Sequence, residues 1–226
     1  GQGLVPSGSS DPYGLRRATT YLIEAAWGWT GILPAYLPLV EKAIGYYRDQ
    51  GVALDLDGTS GALKDLFVAR YESMLPDARH DLLEAAIVEP DRPRTIRLRL
   101  AALELVQADS DLVQTATRPL NIVRAAVTKG EPIPALIIPD LDSEEAVALL
   151  QATSEQLVPV GSAYQHEDAK ALAEAIKPLQ GPINRFFDST MVMVDEPRVR
   201  GARLAMLQKV GELLLLVGDW TQVQST

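Results

Sequence analysis

The chain of 226 residues contains no cysteine. That excludes a disulfide framework and any thiolate metal site, and it predicts a cytoplasmic setting. Histidine is nearly absent too, with two in all. The His80-Asp81 dipeptide therefore has too few companions for a multi-histidine phosphohydrolase centre, and no metal ligand set is expected. No apolar run approaches the ~20 residues of a membrane span. The longest, Leu213 to Val217, reads as a piece of an amphipathic helix, and no membrane partner is expected. The first residues lack a basic stretch followed by an apolar one, so no signal peptide is expected. A basic surplus is missing as well. Net charge is −9, which argues against general phosphate-driven binding and against a DNA partner.

Period-two alternation is the last absence. Met191-Val-Met-Val194 and Ala135-Leu-Ile-Ile138 are the only short strand candidates, and prolines bracket the second. Helical spacing is everywhere instead. Leu172, Ile176, Leu179, Ile183 and Phe186 make one stripe; Leu207, Val210, Leu214 and Val217 make another. The expected fold is all-α. Helix starts are expected at Asp11-Pro12, at Ser143 and at Asp195-Glu196-Pro197. Ends are expected at Gly51, Gly130 and Gly218. Pro178 and Pro182 should kink or break a long helical pattern. Loops are expected over 54–61 and 129–142. The first divides a helical segment, 1–58, from a larger helical bundle, 59–226.

Two features invite an enzymatic reading. Val52 to Thr59, VALDLDGT, is similar to the first motif of haloacid dehalogenase-like phosphatases, where Asp55 would be nucleophile and Asp57 acid/base around magnesium. That chemistry needs the loop to follow a central parallel strand, and the flanks here are helical. No phosphate-cradling glycine loop and no Ser-His-Asp set is visible. No catalytic residue and no metal ligand is therefore assigned.

Charge is uneven. Residues 91–99, DRPRTIRLR, place Arg92, Arg94, Arg97 and Arg99 against Asp91 alone. This is the best electrostatic candidate for a phosphate track, although a solvated helix face has the same composition.

Two motifs at opposite ends carry a resemblance. GLVPSGSSDPYGLRR, residues 3–17, resembles a Gly-x-x-Pro-x-Gly-Ser-x-Asp-Pro-[Phe/Tyr]-x-Leu-Arg-Arg segment through Pro6, Gly8, Ser9, Asp11, Pro12, Tyr13, Leu15, Arg16 and Arg17. RFFDSTMVMVDEPRVRGARLAML, residues 185–207, resembles a Phe-Phe-Asp-x-Val-Met-Val-Met … Arg-Leu-Ala-Leu-Leu motif through Phe186, Phe187, Asp188, Met191, Val192, Met193 and Arg203. The first is a signature of bacterial glycyl-tRNA synthetase beta subunits. The second belongs to the DALR-type anticodon-binding domain, which arginyl-tRNA synthetases share. Weaker echoes lie at Arg70 and over Arg118 to Arg124. Gly201 and Ala202 stand where the family often carries two asparagines.

The resemblance implies the C-terminal third of a beta subunit: an aminoacyl-tRNA synthetase segment without its own catalytic centre. It implies tRNA-Gly as partner, along with a separate alpha subunit in a heterotetramer. ATP and magnesium would act on that alpha subunit, and no cofactor is implied for this segment. Candidate RNA contacts are Arg70, Tyr71, Arg118, Asn121, Arg124, Arg198, Arg200 and Arg203, with Tyr71 as the stacking ring. Arg92, Arg94, Arg97 and Arg99 form the weaker phosphate track. The competing readings are a helical subunit-docking domain that never touches RNA and, behind it, the phosphatase.

Overall fold

Proline and capping residues punctuate the chain into helices in a computed structural model that describes residue 11 and residues 13–31, 33–52 and 55–224. Among the described residues every regular element is helical. None of these helices is long and apolar enough to cross a membrane. Pro6, Gly8, Ser9 and Pro12 of the N-terminal motif lie outside the described residues. The chain divides into two compact units, Gly1–Leu83 with Glu89–Arg97, and Glu84–Val88 with Leu98–Thr226.

The first unit holds α1 (Leu15–Gly28), α2 (Tyr36–Asp49), α3 (Leu56–Met74), most of α4 (His80–Ala86) and the start of α5 (Pro93–Val106). Asp11 starts α1 from outside, its carboxylate accepting the amides of Leu15 and Arg16 at 2.8 and 3.1 Å. α1 and α2 both pack on α3. An aromatic ladder holds that packing, with Tyr36, Phe67 and Tyr71 stacked at centroid spacings of 5.8 and 6.3 Å. Asp91 pins the chain to the head of α2, accepting the Tyr36 amide on its carbonyl and the Leu37 amide on its carboxylate, each at 3.1 Å.

Leu54 lies outside the described residues; of the stretch expected as a loop over 54–61, residues 56–61 are instead the first turn and a half of α3. Asp55 caps it, accepting the Gly58 amide at 3.0 Å. An aspartate placed to satisfy an orphan helical amide needs no metal and no strand beneath it. Among the described residues no cluster of acids or histidines could hold a metal ion. Asp81, of the His-Asp dipeptide, is held by the Arg79 guanidinium at 2.5 and 2.9 Å.

The second unit carries the rest of α5, then α6 (Ser110–Thr128), α7 (Glu144–Glu155), α8 (Leu157–His166), α9 (Ala169–Glu174), α10 (Gln180–Ser189) and α11 (Pro197–Val217). Asp109, Ser143 and Asp168 cap α6, α7 and α9 through side-chain oxygens. Pro178 and Pro182 do break the pattern: α9 ends at Glu174, a 3-10 turn covers Lys177–Leu179, and α10 restarts at Gln180. Pro119, by contrast, sits buried inside α6 without ending it. Neither strand candidate forms a strand. Residues 135–137 are irregular ahead of a 3-10 turn at Ile138–Asp140, and 191–194 form a bend.

α11 is the axis of this unit. Twelve of its residues are buried, and it packs along α6 and against α7. Close approach explains its glycines: a Cβ on Gly211 would lie 3.2 Å from Leu120 Cδ2. Past its end, the Asp219 amide donates to the Ala85 carbonyl at 2.7 Å, and buried Trp220 donates its indole N–H to the Leu214 carbonyl at 3.1 Å. Arg99 is 2% exposed, and its Nε donates to the Leu216 carbonyl at 3.1 Å and to the Tyr164 hydroxyl at 3.0 Å. A guanidinium is well placed at the negative end of a helix dipole.

A Cβ on Gly218 would stand 2.8 Å from Leu103 Cδ1 and 3.0 Å from the Ala85 carbonyl oxygen. Gly218→Ala is therefore expected to cost about 1–3 kcal/mol in urea unfolding. Asp55→Ala is expected to cost about 1 kcal/mol through the lost cap, while Asp55→Asn, an equally good cap, stays within a few tenths of wild type. A nucleophilic Asp55 would show the reverse sensitivity, with hydrolysis of a simple phosphate ester lost in the Asn variant.

Candidate nucleic-acid interface

α6 buries Leu112, Val113, Thr115, Ala116, Pro119, Leu120 and Ala126. What remains for solvent is a stripe stepping by three and four: Gln114, Arg118, Asn121 and Arg124. Three of the sequence candidates thus share one helical face. Arg118 spreads over the Phe187 ring, its guanidinium carbon 4.3 Å from the centroid. Phe187 is fixed in turn by fully buried Phe186, edge to face at 5.3 Å and 70°. A guanidinium stacked on an aromatic ring keeps its charge and its five donors while losing its freedom to roam. Arg118 has no ion pair and the Asn121 amide no hydrogen bond among the described residues.

The remaining arginines of this unit meet acids. Arg124 reaches Asp219 at 2.6 Å and also donates to the Thr221 hydroxyl. Burial pushes the Asp219 carboxyl up, but the hydrogen bonds from Arg124 and Thr221 outweigh it and leave the group below the usual carboxylate range. At the head of α11 three arginines strap down the segment before α7. Arg198 bonds Asp140, and that hydrogen bond holds the Asp140 carboxyl below its ordinary value. Arg200 reaches Glu131 at 3.2 Å and the Val194 carbonyl at 2.7 Å. Arg203, 9% exposed, grips Asp142 through Nε and Nη2 at 2.8 to 3.1 Å and donates to the Met191 carbonyl. As arranged here, Arg203 is a brace beneath the surface rather than a group facing solvent. Gly201 belongs to the same strap: a Cβ there would lie 3.1 Å from Pro134 Cγ.

In the first unit, Tyr71 is 0% exposed and donates its hydroxyl to the Pro90 carbonyl at 2.7 Å. Burial, with the charge of Asp91 nearby, pushes its phenol far above the ordinary range. A ring packed in a ladder on α3 offers no face to a base. Arg70 is partly buried, and its buried Nε has no hydrogen-bond partner among the described residues.

The 91–99 run does not form one track. Arg99 is core of the second unit, as described above. Arg92 pairs with Glu89 at 3.1 Å, Arg94 donates to the Gly31 carbonyl at 2.6 Å, and Arg97 lies 5.1 Å over the Trp27 ring. A helix turns 100° per residue, so Arg94, Arg97 and Arg99, three and two apart, face different neighbours, and Arg92 lies before the helix begins.

The apolar residues of the 186–193 motif also divide. Phe186 and Val192 are buried, whereas Met191 is 73% exposed and Met193 is exposed too. Phe187 is the support under Arg118. Its pairing with a residue 69 positions away leaves no local sequence signal.

The residues that assemble this face fall inside one known domain. The DALR anticodon binding domain matches residues 112–217. Across its length the chain is 28% identical, over 99% of its residues, to the glycine–tRNA ligase beta subunit of Sodalis glossinidius. It is 31% identical over 96% of its residues to that of Geotalea daltonii, and 30% identical over 99% to that of Phenylobacterium zucineum. Over nearly all of its residues the chain is thus similar to glycine–tRNA ligase beta subunits. It spans about a third of the length of these relatives: 32%, 31% and 31%.

For an anticodon-binding domain the electrostatics are unusual. The second unit has eleven lysines and arginines against eighteen aspartates and glutamates, a net of −7. Four of those arginines are engaged with acids on their own surface.

Asp219 supplies a pH test of this pairing. Its carboxyl is depressed in the folded chain, so its contribution to stability is present above the unfolded value of about 4 and disappears as pH falls through the lower folded value. The stability gap between wild type and Asp219→Asn is expected to be constant from pH 7 to 5 and to close below pH 4. Urea unfolding at a series of pH values measures it.

Proposed function

We propose that this chain recognises the anticodon arm of glycine tRNA for a glycine–tRNA ligase, acting by binding alone in the cytoplasm. The observation that carries the reading is the pair on the open face of α6, Arg118 held flat on Phe187 with the unbonded Asn121 amide one turn on. Unpaired loop bases are read by stacking on aromatic or guanidinium planes and by hydrogen bonds to their edges. Glycine anticodons carry cytosine at their second and third positions. Cytosine offers an exocyclic amine and two acceptors. The Asn121 amide carries both a donor and an acceptor to meet such an edge, and Arg118 supplies the plane on which the base rests.

Glycine activation with ATP and magnesium falls, on this reading, to an alpha subunit in a heterotetramer, and no cofactor is assigned to this chain. Gripping the tRNA far from the chemistry selects the right substrate through binding energy that reaches the distant site as orientation. Arg124, Arg198 and Arg200 lie at or near the surface but start paired, so each contributes only by exchanging a carboxylate for a phosphate.

The test is binding of the chain to the glycine-tRNA anticodon stem-loop. Arg118→Gln is expected to weaken it by about tenfold or more, the scale of one lost base stack. Arg118→Lys, which keeps charge but not the plane, is expected to lose nearly as much. Changing either anticodon cytosine to uracil, which replaces the amine by a carbonyl, should cost a similar factor. With most cations engaged, the slope of log affinity against log salt is expected to be about −2 or shallower. Indifference to all these changes would instead identify a docking domain that holds another protein.

A further inference from the structure

One corner of the first unit, outside the matched domain, combines open aromatic surface with an arginine that the protein does not neutralise. Trp27 lies near the end of α1, and its indole N–H donates to the Pro93 carbonyl at 2.9 Å, which fixes the ring. Arg97 covers that ring at 5.1 Å. Two residues on, Trp29 is 57% exposed. Its indole nitrogen lies so close to Gly31 that a Cβ there would stand 2.6 Å away, and the Gly31 carbonyl in turn accepts from Arg94 at 2.6 Å. Trp29, Gly31 and Arg94, with Trp27, Pro93 and Arg97 beside them, thus make a continuous patch built on tertiary contacts more than 60 residues apart in sequence.

Charge points to the occupant. Arg97 has no ion pair among the described residues. The acids close in sequence do not answer it: Glu89 is taken by Arg92, and Asp91 is buried with its carboxylate on the Leu37 amide. The arginines at the head of α11, in a chain with the same acid surplus, are all matched by carboxylates. Where acids outnumber bases by nine, leaving a stacked arginine beside an open indole favours a ligand that brings its own negative charge and a flat face. A nucleotide of RNA has both.

We propose that Trp29, Trp27, Arg94 and Arg97 form a second RNA contact, taking the backbone and a base of a tRNA segment outside the anticodon arm. The inference rests on the tRNA reading above for the identity of the RNA. It does not rest on the anticodon contact at Arg118.

Two RNAs separate the two. The wild-type chain, an Arg97→Gln/Trp29→Ala variant and Arg118→Gln are each titrated with the anticodon stem-loop and with the full-length glycine tRNA. Both positions of the double variant are exposed, and urea unfolding checks that it folds as wild type does. The expected result is a loss of about tenfold in affinity for the full tRNA, with stem-loop affinity unchanged. The salt slope for the full tRNA should become shallower by about one unit, the share of one phosphate contact. Arg118→Gln should weaken both RNAs. Wild-type affinity of the double variant for the full tRNA overturns the proposal. So does an equal loss on both RNAs, which is what a general loss of structure produces. If the stem-loop fails to bind the wild type while the full tRNA binds and responds to the double variant, the anticodon reading falls and this patch stands. A double variant that keeps its RNA affinity but loses binding to other protein components of the ligase also overturns it, and assigns the patch to protein contact.

Discussion

The seat of α11 governs the second unit. Its buried face meets α6 closely at Gly211, where a Cβ would stand 3.2 Å from Leu120 Cδ2, and its last carbonyls are closed by Arg99, Tyr164 and Trp220. Because α6 turns its apolar residues inward against this helix, its polar stripe has one orientation left, with Arg118 and Asn121 outward. The head of α11 fixes the other boundary. Arg198, Arg200 and Arg203 each leave the same helix toward an acid in the 131–142 segment, so that an irregular stretch with little regular hydrogen bonding is held at three points. Removing Asp142 would leave the charge of the largely buried Arg203 without its carboxylate at the edge of the core, the costly half of breaking such a pair.

Beside Arg94 and Arg99, which meet backbone carbonyls, two contrasting sets of arginine stand out. One set is neutralised by carboxylates and serves the fold. The other, Arg97 and Arg118, is laid on an aromatic ring, which orders the side chain without cancelling its charge. Stacking is the arrangement that leaves a cation ready for an incoming anion. Composition cannot distinguish the two sets, because both are simply arginines on amphipathic helices. The partner decides, and the partner is distant: Asp142 lies 61 positions from Arg203, and Asp219 lies 95 from Arg124.

That separation explains what the sequence revealed and what it hid. Helical spacing, the capping residues Asp11 and Ser143, the end glycines 51 and 130 and the break at Pro178 are local, and they were legible. Arg118, Asn121 and Arg124 were found through the resemblance rather than through spacing. The loop expected over 54–61 failed because Asp-x-Asp-Gly is written identically for a polar loop and for a capped helix start, and the helical turn that follows distinguishes them. Tyr71 was a stacking candidate through the resemblance, and the ladder from Tyr36 through Phe67 takes it inside. Trp27 and Trp29 carried no reading in the sequence, because their setting depends on Arg97 and Arg94 arriving from α5.

An acidic unit that reads RNA is less paradoxical than it looks. Phosphate contacts supply affinity without sequence information, since every RNA has them. A surface whose arginines are mostly matched by its own acids gives up that shared term and is repelled by RNA in general. Any complex that forms must then gain its stability from base contacts, which differ between sequences. Selectivity is a difference of affinities, and lowering the common part raises the weight of the part that discriminates. On the proposed reading, the acid surplus of the second unit would disfavour wrong RNAs, with Arg118 and Asn121 as the groups that would admit the right one.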